Sequence, residues 1–228
     1  MPAAAAVRVK LPRAPRARRA RPLAPRGDKR DLILRAAIRT FARSGFFSAQ
    51  VADVARTAGV AAGTVYLYFR GKDDLLVSIF ERVMTEAIAE GRAVLAGLAD
   101  PVERLRRIAH LHLDRLSRDR DLAIVFQVEL RQTTKFMERF SNTLLREYLG
   151  ILRDVIADGQ AAGVVRPGVN PTLAAKMLFG ALDEMATNWM LSRRRTSLDG
   201  VADAVVDMFV NGVGAPARTA SAAVGGRP

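Results

Sequence analysis

Residues 51–69 read VADVARTAGVAAGTVYLYF, and this stretch decides the fold of the N-terminal part of the chain. Its spacing predicts two short helices, about 51–58 and 62–68, separated by Gly59 and Val60. Small residues in the first helix let the pair cross closely, and glycine permits the sharp turn between them. This arrangement is typical of a helix-turn-helix, whose second helix protrudes into the major groove of DNA.

The second of these helices and its flanks carry the side chains that we expect to contact DNA. Hydroxyl groups of Thr and Tyr can bond to phosphates or base edges, and the Thr methyl group can touch a thymine methyl. A lysine at the start of the following helix can face a phosphate together with backbone N–H groups. The candidate DNA-binding residues are Ser48, Gln50, Gly63, Thr64, Tyr66, Tyr68 and Lys72.

The sequence on both sides of this unit predicts further helices and no strand. Upstream, Ile33, Ala37 and Phe41 recur at helical spacing. Downstream, Asp100–Pro101 and Asn170–Pro171 each combine a capping side chain with a proline suited to the first helical position. The expected fold is all-α, with about nine helices: an N-terminal three-helix helix-turn-helix domain and a C-terminal helical ligand-binding and dimerisation domain.

Positive charge is concentrated at the N-terminus. Of the formal net charge of +13, residues 1–30 supply +9, from ten Lys or Arg and one Asp. Five of the ten prolines also lie within residues 1–27, which show no apolar periodicity. Such an arm is attracted to DNA phosphates, although an Ala/Pro/Arg-rich tail of biased composition would look the same.

The chain therefore divides into four predicted segments. We expect a disordered basic arm over 1–27, a helix-turn-helix domain over 28–74, a ligand-binding and dimerisation domain over 75–214, and a disordered tail over 215–228.

The composition argues against several other classes of protein. Cysteine is absent, which excludes disulfides and thiolate sites and fits a reducing cytoplasm. There is no apolar run long enough to span a bilayer and no secretory segment. There is also no phosphate-binding glycine loop, no Gly-x-Ser-x-Gly elbow and no metal-ligand spacing. We therefore expect a cytoplasmic binding protein, not an enzyme, with no metal, no cofactor and no membrane partner.

The helix-turn-helix region resembles the DNA-binding domain of the TetR family of transcriptional regulators. The matching segments are Asp53–Ala55, Ala58–Val60, Gly63–Tyr66, Tyr68–Phe69 and Lys72–Leu76. Two departures stand out: Ala49 and Gln50 replace the family's usual Thr or Ser, and Gly71 replaces a Ser or Thr before Lys72. The resemblance implies a repressor that binds a palindromic operator in double-stranded DNA as a homodimer.

The same resemblance implies a four-helix contact between subunits, made by the last two helices of each. These helices carry more apolar surface than one face can bury within the chain, with ordinary core packing as the alternative. The expected dimer residues are Phe179, Leu182, Ala186, Trp189, Met190, Val205, Met208 and Phe209.

The C-terminal part is similar to the TetR-type regulators of fatty-acid degradation, the FadR type, over Val128–Gln132, Leu145–Leu149, Asp158–Gln160 and Phe179–Glu184. Those regulators are repressors released by long-chain acyl-CoA, and an acyl chain requires a long dry tunnel. The candidate ligand-binding residues are Phe80, Met84, Leu105, Ile108, His112, Phe126, Leu130, Arg131, Phe140, Leu144, Tyr148, Met177 and Leu178.

Cations are needed at the mouth of such a tunnel for the CoA phosphates. Arg131 is the preferred candidate because it follows a buried helix, and Arg104 and Lys135 are further options. Arg146 and Arg153 fall opposite the apolar stripe of their helix, so we expect them to be solvated.

Two other functions stay open at this point. A TetR-like repressor of an efflux pump, responding to lipophilic cationic drugs, would need an acidic side chain in the pocket, and Glu129 lies in an apolar helix. An architectural DNA-binding protein would account for the basic arm but not for the long apolar body.

We expect His112 to point inward and to form a hydrogen bond, since the spacing offers it no metal-binding partners.

Overall fold

A computed structural model of the protein describes residues 26–129, 143–192, 198 and 200–212. Within these ranges there are nine α-helices and no β-strand, which confirms the all-α prediction. The helices are α1 (Arg26–Ser44), α2 (Val51–Ala58), α3 (Ala62–Tyr66), α4 (Lys72–Leu95), α5 (Pro101–Arg118), α6 (Arg120–Ile124), α7 (Leu144–Ala161), α8 (Pro171–Leu191) and α9 (Val201–Asn211). Helix α6 continues directly into one π-helical turn, Val125–Glu129.

Most of the predicted basic arm and the whole predicted tail lie outside the described residues, as do Leu130, Arg131, Lys135 and Phe140. Helix α1 begins at Arg26, within the segment assigned to the arm.

Helices α1, α2 and α3 pack together into the N-terminal domain, with fully buried Ile33, Phe41, Val54 and Val65 contributing to its core. Gly59 ends α2 in the left-handed region (φ 67°), a conformation that side chains other than glycine rarely adopt. The predicted turn between the two short helices is therefore confirmed.

Helix α4 connects this domain to the rest of the protein, which we call the body (α5–α9). Its first turns bury Leu75, Leu76 and Ile79, and its second half packs on α5 and α7. The predicted domain boundary between residues 74 and 75 thus falls inside one continuous helix.

The body is a helical bundle in which α5 contacts α7, α8 and α9. Leu105, Leu113, Leu152, Ile156 and Leu178 are its largest fully buried side chains. Burial of each contributes about 1.5–3 kcal/mol to stability. None of the helices in the described ranges is long and apolar enough to cross a membrane.

Both predicted cap-and-proline signals begin a helix. The Asp100 carboxylate accepts a hydrogen bond from Val102 N–H at 3.0 Å, and α5 starts at Pro101. The Asn170 side chain accepts one from Leu173 N–H at 3.0 Å, and α8 starts at Pro171. These local bonds fix where α5 and α8 begin, and the two helices contact each other in the body.

Candidate DNA interface and effector site

Helix α3 presents an exposed surface beyond its buried residue Val65. Tyr66 is 58% exposed, Gly63 is exposed, and Thr64 and Tyr68 are half-buried. The helix ends at Tyr66 instead of Tyr68, because the chain turns to bury Phe69 in the core. The predicted DNA-contacting side chains of α3 are thus brought together on one protruding element.

Leu67 is the residue that the sequence interpretation missed on this surface. It directly follows α3 and is 81% exposed, which is unusual for a large apolar side chain. The helical repeat could have predicted this exposure, because the two residues that follow the buried Val65 point away from the core. An apolar side chain in a major groove can contact thymine methyl groups.

We expect Leu67→Ala to weaken binding to the protein's selected operator by about 3- to 30-fold, since up to three buried carbons are lost from the interface. Fluorescence anisotropy with labelled duplex measures this. Replacing contacted thymines with uracil should weaken the wild type but not the variant. Equal affinities of wild type and variant for the operator would contradict the assignment, and the exposed position leaves folding unaffected.

The N-terminus of α2 explains one departure from the family pattern. Ala49 is fully buried, while Ser48 and Gln50 on either side are exposed and remain candidates for phosphate contact. Gln50 is the N-cap residue, and its backbone N–H donates to the Asp53 carboxylate at 3.2 Å. The N-terminus of α2 is therefore capped by the side chain of Asp53, from the first turn of the helix itself.

Lys72 makes contacts that its sequence position did not predict, while the expected phosphate contact of its side chain stays a prediction. Its Nζ donates to the carbonyl oxygens of Phe46 at 3.0 Å and Phe47 at 2.8 Å, and lies 4.9 Å from the Phe46 ring centre. The ammonium is thus used to hold the loop between α1 and α2 (residues 45–50, the α1–α2 loop). Gly71, ahead of it, makes no side-chain cap, and the Asp74 carboxylate instead accepts from Arg70 N–H at 2.9 Å.

The α1–α2 loop is also held from the body. A carboxylate oxygen of Glu129, at the end of the π-helical turn, accepts a hydrogen bond from Phe46 N–H at 2.7 Å. Both groups are buried. The acidic group that favoured a cationic drug as effector is therefore directed at the backbone of the N-terminal domain, which corrects that interpretation of Glu129.

Most described members of the predicted ligand set lie in the interior of the body. Phe80 and Phe126 stack with ring centres 5.7 Å apart. The other buried members are Met84, Leu105, Ile108, Tyr148 and Leu178, and Leu144 is half-buried. The prediction for Met177 is wrong: it is 63% exposed, because its neighbour Leu178 takes the buried side of α8.

His112 points inward from α5, as predicted, and forms a hydrogen bond with the Tyr148 hydroxyl through Nδ1 at 3.2 Å. The Phe179 ring meets the imidazole edge-on, with centres 5.6 Å apart. Burial lowers the pKa of His112 to about 4, so the ring is neutral at physiological pH. Burial likewise raises the pKa of Tyr148, which keeps its proton.

A basic depression of about 730 Å³ opens on the surface between α4, α5 and α7. Its charged lining consists of Arg92, Arg104, Arg146, Arg153, Glu147 and Asp154, a formal excess of two positive charges. Arg92 pairs with Glu147 at 3.0 Å, and Arg104 pairs with Asp158. Arg146 and Arg153 are exposed as predicted, yet both belong to this depression.

The predicted dimer set separates into two groups. Leu182, Ala186, Met190 and Val205 are buried within the chain and belong to its core, which corrects their assignment. Phe179, Trp189 and Phe209 are half-buried, and Met208 is 50% exposed. An exposed stripe runs along α8 through Leu173, Met177, Ala181, Glu184, Asn188 and Leu191. We call this stripe, together with the exposed Met208 of α9, the outer face.

In the part of the chain that the structure describes, no group of three or more His, Asp or Glu residues could hold a metal ion.

The fold and the exposed α3 define the class of protein: a DNA-binding regulator with a helix-turn-helix on a helical body. Residues 33–79 match the family model of bacterial regulatory proteins, tetR family, and residues 80–212 match that of the YsiA-like protein, C-terminal region. The chain belongs to the tetR family of bacterial regulatory proteins.

Similar proteins include the fatty acid metabolism regulator protein of Bacillus subtilis, which is 34% identical over 79% of this chain and 93% of its own length. The crystal structure of the transcriptional regulator FadR from Bacillus subtilis in complex with stearoyl-CoA superimposes with a TM-score of 0.77 at 34% identity, covering 81% of this chain and 99% of that one. The fatty acid degradation regulator FadR from Bacillus halodurans gives a TM-score of 0.78 at 34% identity, covering 83% and 98%.

Proposed function

We propose that this protein is a homodimeric transcriptional repressor in the cytoplasm, which binds a palindromic operator and is released by long-chain acyl-CoA. The observation that carries the proposal is the likeness to the two FadR proteins, which extends over both domains and nearly their whole length. In this role the protein senses a metabolite without transforming it.

The body supplies matching surfaces for both ends of such an effector. The basic depression offers an excess of positive charge for the phosphates of CoA. The buried apolar side chains of α4, α5, α7 and α8 suit an acyl chain.

Release follows from linkage between the two binding events. An effector that binds the free dimer more tightly than the DNA-bound dimer must weaken operator binding by the same factor. The α1–α2 loop is the natural point of transmission, because Glu129 of the body and Lys72 of α4 both bond to it.

The test is fluorescence anisotropy of a labelled palindrome, selected by the protein from random duplexes. We expect the palindrome to bind at least about 10³-fold more tightly than a scrambled duplex. Stearoyl-CoA should release it and, at 100 times its Kd, stabilise the free protein by about 2.7 kcal/mol. Free CoA and stearate are the matched controls.

Two outcomes would contradict the proposal. If a lipophilic cation such as rhodamine 6G releases the operator and stearoyl-CoA does not, the efflux-pump alternative replaces it. If the protein binds the palindrome and the scrambled duplex with equal affinity, the architectural DNA-binding alternative replaces the proposal.

A further inference from the structure

A polar pair, His112 of α5 and Tyr148 of α7, lies among apolar side chains in the interior of the body. His112 shares the inward side of α5 with Leu105, Ile108 and Leu116, all buried. Its Nδ1 lies 3.2 Å from the hydroxyl of Tyr148 on α7. Its other ring nitrogen, Nε2, is inaccessible to solvent and has no hydrogen-bond partner among the described residues.

The hydrogen bond between these two side chains determines which nitrogen carries the proton. Tyr148 keeps its proton and must donate it, and His112 Nδ1 is the acceptor beside it. A neutral imidazole that accepts at Nδ1 carries its hydrogen on Nε2. The opposite tautomer would leave both the tyrosine O–H and a bare Nε2 unsatisfied. His112 therefore presents an unused N–H donor in the interior.

A buried donor without an acceptor is costly, so its presence at this position calls for a partner that the described residues do not supply. The partner must be an acceptor, and it must be neutral, because burying a carboxylate against an uncharged imidazole would leave its charge unbalanced. A carbonyl oxygen flanked by apolar groups meets both conditions.

Resting on the proposed function, we propose that His112 Nε2–H donates a hydrogen bond to the thioester carbonyl of the bound acyl-CoA, with Tyr148 as the positioning residue that fixes the tautomer. The placement suits such a ligand. His112 lies eight residues after Arg104, a residue of the basic depression, which is about 12 Å along α5. A ligand with its phosphates in the depression can therefore extend inward to His112.

This contact would determine specificity between related effectors. A thioester satisfies the donor, whereas a free fatty acid would bring a carboxylate into the interior. A thioether would leave the Nε2–H unpaired, and sites built around a hydrogen bond reject such analogues strongly.

The experiment compares stearoyl-CoA with S-octadecyl-CoA, a thioether in which a CH₂ group replaces the carbonyl. By isothermal titration calorimetry we expect the wild type to prefer stearoyl-CoA by about 10- to 100-fold. His112→Phe keeps a ring of similar size and removes the donor, so its two affinities should agree within about threefold. Tyr148→Phe should reduce the preference without abolishing it, because the tautomer is then no longer fixed.

A second measurement needs no variant of the site. The chain has two histidines, His110 and His112, and His110→Gln assigns their imidazole signals in ¹⁵N-histidine NMR. We expect stearoyl-CoA, but not the thioether, to shift the Nε2–H proton of His112 downfield. Equal wild-type affinity for both ligands, or an unchanged preference in His112→Phe, would overturn this inference and leave the proposed function standing. Failure of stearoyl-CoA to bind at all would overturn both.

Discussion

The double substitution Met177→Asp with Met208→Asp is expected to convert the proposed dimer to a monomer. Both side chains belong to the outer face and are 63% and 50% exposed. They share this face with Leu173 and Leu191, and with Ala181, whose small side chain permits close approach of a second helix. Several large apolar side chains exposed along one face of a helix suggest a contact with another protein. Two carboxylates buried there without partners would prevent association.

The effect on DNA binding should be larger than that of any single contact. A dimer engages both half-sites of a palindrome, and loss of this linkage costs about 10²- to 10⁴-fold in affinity. Sedimentation velocity measures the oligomeric state, and anisotropy measures operator binding. Val164→Asp is the matched control, because Val164 is also an exposed apolar residue but lies outside α8 and α9. A double variant that remains dimeric would show that the outer face is not the interface.

Glu129→Leu is expected to destabilise the protein and to weaken the effect of acyl-CoA on operator binding. The substitution leaves the buried N–H of Phe46 without its acceptor at 2.7 Å, which costs about 1–3 kcal/mol. For a protein of this size, the Tm should fall by roughly 2–4 °C for each kcal/mol lost. Glu129→Gln keeps an acceptor oxygen, so it should retain part of the stability.

The coupling measurement separates this role from simple stabilisation. We expect the ratio of operator affinities without and with stearoyl-CoA to shrink in Glu129→Leu, because the body then loses its bond to the α1–α2 loop. Glu81→Leu is the control, since Glu81 is exposed on α4. If Glu129→Leu lowers the Tm but leaves the ratio unchanged, the bond contributes stability without transmitting the signal.

Local chemistry allowed much of the fold to be predicted. Asp100 and Asn170 cap their helices with bonds to residues two or three positions away, and Gly59 needs only its own backbone to end α2. Such bonds join residues that are close together in the sequence, so the helix order and the helix-turn-helix can be predicted from it. The same spacing predicted that Tyr66 is exposed on α3.

The predictions that failed concern which apolar face of a helix is buried within the chain and which face is exposed. Helix α8 is apolar on more than one side, so periodicity does not distinguish Met177, which is exposed, from Leu182 and Ala186, which are buried. That choice depends on where α5 and α7 lie.

The sequence by itself determined the order of the described helices, the starts of α5 and α8, the turn before the recognition helix and the inward direction of His112. Only the tertiary structure decided the partners: Glu129 bonds to Phe46, 83 positions earlier, and His112 meets Tyr148, 36 positions later. Lys72 reaches back to the same loop in this way. The physical reason is that a helix fixes the direction of each side chain through bonds to near neighbours, whereas the group it meets depends on the packing of the whole chain.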